Sequence, residues 1–171
     1  MTQLKPSPAD SRFSRPGEMN FTVLLTGEET SGFFSVVEFR LGPSTLGAPD
    51  HTHSREDVFL WGIEGEIMVQ VDGRAAPLQP FTWLKLPRGT PHAIWNGGVE
   101  AARYLELISP AGSERFFTEL AEALASGERL DYETVCALEQ KYGLKFDLNS
   151  ILAITEQHEI KIDERFGSIG W

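Results

Sequence analysis

The sequence predicts an all-β domain, a small antiparallel sandwich or barrel, followed by a pair of α-helices. Three observations carry this reading. About eight short runs rich in β-branched and aromatic residues fall between positions 21 and 110, with turn-forming residues between them. The Asp72-Gly73 pair between two apolar runs marks a hairpin, because that dipeptide adopts the tight turn whose twist matches its flanking strands. Beyond Pro110 the apolar residues recur at helical spacing instead of alternating.

Taken in order, residues 1–19 are polar and proline-containing and read as an irregular arm. Strands are expected over 21–27 and 32–42, both bounded by Gly, and the Gly- and Pro-rich 41–50 reads as a loop. Further strands are expected over 57–63, 66–73, 81–87, 92–98 and 101–110. The first helix is expected near 113–126, where Phe116, Phe117, Leu120 and Leu124 share a face and Ser113 can cap the N-terminus. The second is expected near 131–142, between an Asp131 cap and a Gly143 stop. The organisation is therefore an arm over 1–19, a β-barrel over 20–110 and a helical extension with a tail over 111–171.

With 171 residues, 41% of them hydrophobic, the chain can bury one real core. Its net charge of −10 is spread along the chain, which argues against nucleic acid or an anionic membrane surface as partner. The single cysteine, Cys136, excludes an intrachain disulfide and a CxxC metal site, and its place in an amphipathic helix makes it a packing residue. No run reaches the 18 or so apolar residues of a membrane span, and the arm lacks the apolar stretch of a signal peptide. A cytoplasmic protein is the expectation. No Gly-rich phosphate loop precedes a helix and there is no GxSxG nucleophile motif.

Three of the four histidines are arranged in a way that suits a metal. His51 and His53 are separated by one residue, so in an extended strand both imidazoles point to the same side. His92 opens a strand behind the turn formed by Pro87, Gly89 and Pro91, which holds it in one direction. The fourth, His158, lies on the tail and reads as a surface residue.

These segments resemble the two motifs of the cupin superfamily. The second motif, PxG, two residues, His, three residues, Asn, is complete in Pro87, Gly89, His92 and Asn96. The first, HxH, three or four residues, Glu, six residues, Gly, is matched at His51, His53 and Gly65. The similarity spans roughly residues 30 to 110, and the helical tail is similar to that of single-domain, quercetin-dioxygenase-like cupins. It implies a jelly-roll β-barrel of six to eight strands with a divalent metal ion in its mouth, held by His51, His53 and His92. Three departures stand out. Val58 occupies the place of the motif glutamate when counted back from Gly65, while Thr45 and Phe81 replace the glycines that open the two motifs. Because a strand changes face with each residue, Asp57 and Val58 cannot both point inward, and the Gly65 spacing selects Val58. Neither Glu56 nor Asp57 is then expected to be a ligand.

Three readings of the missing carboxylate stay open. A three-histidine centre leaves a divalent ion its full charge and open positions for an enolate or phenolate and, if the ion is Fe2+, for oxygen; a dioxygenase is the leading expectation. A site holding Zn2+, Ni2+ or Mn2+ would instead support a non-oxidative isomerisation, cyclisation or decarboxylation. A non-catalytic barrel that only binds a small molecule is the third. By strand parity Val58 and Leu60 face the same side, as Ile94 does with His92, so these three are expected to line an apolar substrate pocket widened at Gly62; plain barrel core is an equal reading for Leu60 and Ile94. Phe59, Trp61 and Ile63 then form an apolar outer face. Either the helices or a second subunit must cover it, and the family's habit of dimerising through such a face favours a homodimer.

Overall fold

The alternating patterns produce two facing five-stranded antiparallel sheets. The computed structural model describes residues 16–126 and 132–165; most of the expected arm, the Asp131 cap and the Leu124 side chain lie outside the described residues. One sheet holds strands β1 (Met19–Leu25), β2 (Ser35–Leu41), β9 (Ala102–Ser109), β4 (Asp57–Glu64) and β7 (Trp83–Leu86), in the order β1-β2-β9-β4-β7. The other holds β10 (Leu144–Phe146), β3 (Thr45–His53), β8 (His92–Asn96), β5 (Ile67–Val71) and β6 (Arg74–Leu78), in the order β10-β3-β8-β5-β6. Helices α1 (Glu114–Ser126), α2 (Tyr132–Tyr142) and α3 (Ser150–His158) follow the barrel. None of these is long and apolar enough to cross a membrane.

The core lies between the sheets because each strand turns every second residue inward. Val58 and Leu60 alternate with the half-buried Phe59 and Trp61, as parity requires, and they meet Val37, Ile94, Tyr104 and Ile108 in one apolar cluster. Strand β8 is buried on both faces. Ile94 points into the barrel, while Ala93 and Trp95 pack beneath Ile151 and Ile154 of α3. A second cluster joins Phe116 and Leu120 of α1 to Val135 and Leu138 of α2 and to Leu144 of β10.

The structure departs from the sequence reading in four places. The segment expected as a loop over 41–50 contributes most of β3, since a strand with register shifts against β8 accommodates its glycine and proline residues. Arg74–Leu78 forms β6, whose Pro77 is tolerated because β6 is the last strand of its sheet. Among the described residues the extension holds three helices where a pair was expected. It also supplies β10, which pairs with the histidine-bearing end of β3 through Leu144↔His53 and Phe146↔His51.

Candidate metal centre and its pocket

The three motif histidines converge. His51 and His53 lie two residues apart on β3, and His92 is the direct cross-strand partner of His51 on β8. Ring centroids are 4.2 Å apart for His51 and His92, and 5.2 Å apart for His51 and His53. One nitrogen from each of the three lies within 4.8 Å of the other two, and all three residues are buried.

Neighbouring backbone sets their orientation. Nδ1 of His51 is 2.9 Å from the Pro49 carbonyl, and Nδ1 of His92 is 2.9 Å from the Thr90 carbonyl. A carbonyl only accepts, so in each pair Nδ1 carries the proton and Nε2 keeps its lone pair. Gly89, at φ +76°, donates its N–H to the His53 carbonyl at 2.7 Å, which ties the turn before His92 to the strand carrying the other two. Asn96 holds the far end of β8 by donating from Nδ2 to the Gly42 and Glu100 carbonyls, each at 2.7 Å.

The donor set fits a divalent ion. Nε2 of His92 and Nδ1 of His53 are buried with no hydrogen-bond partner, a cost of about 1–3 kcal/mol each that a ligated cation would remove. Burial, reinforced by the neighbouring imidazoles, pushes His51 well below its ordinary range. Burial likewise pushes His92 down to about 4, so both rings present neutral lone pairs.

His51 and His53 form part of the wall of a cavity of about 130 Å³. Much of the rest of its wall is aromatic, with Phe21, Phe39, Phe116 and Phe117, and the C-terminal extension supplies Leu144, Phe146 and Ile151. Phe146 stacks on His51 with centroids 5.1 Å apart. Besides the histidines, two side chains with ionisable groups line this space, Tyr104 and Glu106 of β9.

Comparison with known proteins agrees with this geometry. Residues 37–108 match the cupin domain family. Over 116 residues the chain is 32% identical to the polyketide synthase protein CurC of Streptomyces cyaneus, covering 64% of this chain and 73% of that protein. The chain belongs to the cupin superfamily. It is also 37% identical over 81 residues to the tetracenomycin polyketide synthase protein TcmJ of Streptomyces glaucescens, a match covering 47% of this chain and about half, 52%, of that protein. Among solved structures the cupin fold is shared with the polyketide cyclase RemF of Streptomyces resistomycificus, at a TM-score of 0.52 and 21% identity, over 64% of this chain and 79% of that one.

The residues expected to line this cupin's pocket are placed differently from its histidines. Val58, Leu60 and Ile94 face inward but belong to the packed core, and the cavity walls are built from other strands and from the extension. Gly62 does not widen the space, because a Cβ there would come within 2.8 Å of the Gln79 carbonyl oxygen; it is glycine to let that backbone approach. Asp57 faces outward, paired with Lys85 at 3.1 Å and Arg88 at 3.2 Å, and the Arg88 backbone N–H followed by Lys85 lowers it to about 2. Glu56 lies in the turn before β4, where strand parity has no force. It is buried, with an unpartnered Oε2 3.8 Å from Nδ1 of His53. His158 is not merely a surface group, for its ring stacks on Trp95 at 4.5 Å.

Two pocket residues escaped the sequence reading. Tyr104 and Glu106 alternate with outward residues along β9 and so face the interior. Parity from Ala102 to Ile108 carried that signal, and a charged residue in the buried phase of a strand was the anomaly to pursue.

Proposed function

We propose that this cupin is a metal-dependent enzyme acting on an enolisable, chelating carbonyl compound of the polyketide type, and that its reaction is carbon–carbon ring closure. The observation that carries the reading is the cluster of three buried imidazoles, two of which, His51 and His53, stand in the wall of an aromatic-lined cavity. His51, His53 and His92 would hold the ion, and a divalent ion so bound supplies Lewis acidity toward a pair of carbonyl oxygens. The aromatic wall suits a flat conjugated chain or fused ring. The names of the two polyketide synthase relatives support the substrate class, since a polyketide is a chain of alternating carbonyls with acidic carbons between them.

Dioxygenation is the second reading, favoured by the all-nitrogen donor set if the ion is Fe2+; Zn2+, Ni2+ or Mn2+ would serve ring closure alone. The buried carboxyl of Glu106 tips the balance toward proton-transfer chemistry. The exposed aromatic face around Trp83 supports a homodimer as the working assembly.

The test is metal analysis of untagged protein, followed by turnover of a poly-β-ketone with and without chelator, in air and under argon. Ring closure predicts metal-dependent product with no oxygen uptake. Uptake in proportion to substrate would establish the second reading, and turnover indifferent to chelation would remove both.

A further inference from the structure

Glu106 is an unusual residue to find where it is. It lies on the inward face of β9, is only 4% exposed, and lines the cavity. Its cross-strand partners are Val37 on β2 and Leu60 on β4, both apolar. Phe116, Phe117 and Leu120 of α1 line the same cavity, as do His51 and His53. Among the described residues none offers the carboxyl a hydrogen bond or a counter-charge. Two positions along the strand is Tyr104, whose fully buried hydroxyl also lacks a partner and whose ring stacks on Phe39 at 4.9 Å. A carboxyl and a phenol left unsatisfied in an otherwise apolar cavity cost stability, and nothing in the barrel's own packing uses them.

We propose that Glu106 is the catalytic acid–base residue of the cavity, moving a proton onto and off the oxygens of a bound polycarbonyl substrate, with the Tyr104 hydroxyl as hydrogen-bond donor to the same substrate. This role rests on the ring-closing reading above. In the closing step the π pair of the substrate's enol forms the new carbon–carbon bond. The π pair of the attacked carbonyl moves to its oxygen, which takes the Glu106 proton. The enol O–H becomes a ketone and returns its proton to the Glu106 carboxylate. One bond forms, no electrons leave the substrate, and Glu106 ends as it began. For this the carboxyl must be protonated in the resting protein. Burial provides that by pushing Glu106 up to about 8. Burial, and secondarily Glu106 itself, raises Tyr104 well above its ordinary value, so the phenol stays a donor.

The test uses the metal-loaded full chain and an aryl β-hydroxyketone whose retro-aldol cleavage, the reverse of the step above, releases a fluorescent naphthaldehyde. Glu106→Gln, which keeps shape and removes the proton, should lower kcat about a hundredfold or more, with KM and bound metal little changed, and should flatten the alkaline limb of the pH–rate profile. Tyr104→Phe should lower kcat about tenfold and keep that limb. Independently of turnover, infrared difference spectra of metal-free protein between neutral and alkaline pH should show a protonated-carboxyl band that Glu106→Gln abolishes. A Gln variant that cleaves the probe at the wild-type rate, or the absence of that band, overturns the assignment of Glu106 alone. Wild-type protein that binds metal yet fails to cleave the probe overturns the ring-closing reading and this role with it.

Discussion

At the scale of single residues, the site is a set of polar groups that the fold buries at a cost. His51 and His92 are held by backbone carbonyls, and Nε2 of His92 and Nδ1 of His53 lack protein partners. His51→Ala and His92→Ala should each leave the barrel folded by circular dichroism. Each should lower metal affinity by more than the roughly 10–100-fold typical of losing a partner outside the ligand set. Titration with a competing chelator measures this, and a variant that binds metal as the wild type does would remove that histidine from the site. Glu106 makes its own mark on stability. It ionises near 4.5 when unfolded and near 8 when folded, so between those values the native state binds one proton more. Its contribution is fully present below 4.5 and is lost as pH rises toward 8, at up to about 1.4 kcal/mol per pH unit. Glu106→Gln has no such proton, so its stability relative to wild type should grow across that window. Urea unfolding of the two proteins at both ends of it checks this, and parallel profiles would contradict it.

At the scale of elements, the motif glycines show what the sequence motifs encode physically. Gly65 has φ +79°, and a Cβ there would fall 2.5 Å from the Cα and Cβ of Ala102. Gly73, with φ +76°, has nothing within 4 Å of that position. Gly73→Ala should therefore cost only the left-handed backbone term of about 1–2 kcal/mol. Gly65→Ala adds an overpacking term of about 1–3 kcal/mol, and thermal denaturation of the pair isolates it. Equal losses would mean that β9 yields freely. Most strands of the barrel and the converging histidines were legible in the sequence because alternation, Asp72-Gly73 and the two histidine motifs are local signals, whereas β3, read mostly as a loop, and β6 were not. The pocket was not. Its walls come from Phe21 and Glu106 at opposite ends of the barrel sequence, and from Leu144 and Phe146 on a strand too short to show a period. Val58, Leu60 and Ile94 illustrate the same boundary. Parity turned them inward correctly, but whether an inward side chain meets a cavity or another side chain depends on elements distant in the chain.

At the scale of the whole molecule, the described residues leave one face of the barrel without a cover. The helices pack on β1, β2, β3, β8 and β10, and among the described residues none covers the outer side of β4 and the edge strand β7. There Trp61 lies 4.9 Å from Trp83 and 6.4 Å from Phe81, and Trp83 and Phe81 are 56% and 73% exposed. Phe81 is the telling residue. It stands where cupins place a glycine, and it keeps the left-handed backbone of one, with φ +62°. A side chain in that conformation costs about 1–2 kcal/mol, and within the protomer Phe81 recovers little of it because most of its ring is in water. A ring held there against local preference would be accounted for by burial against a second copy of the chain, in the homodimer proposed above. The two contributions separate by concentration. At high dilution Phe81→Gly should be more stable than wild type by about 1 kcal/mol, since it removes only the backbone cost. At concentrations where wild type is dimeric by light scattering, the same variant should associate more weakly, and Trp83→Arg should associate more weakly still without any gain at dilution. Association unchanged by both substitutions would place the dimer contact elsewhere and leave the strained Phe81 without a partner to explain it.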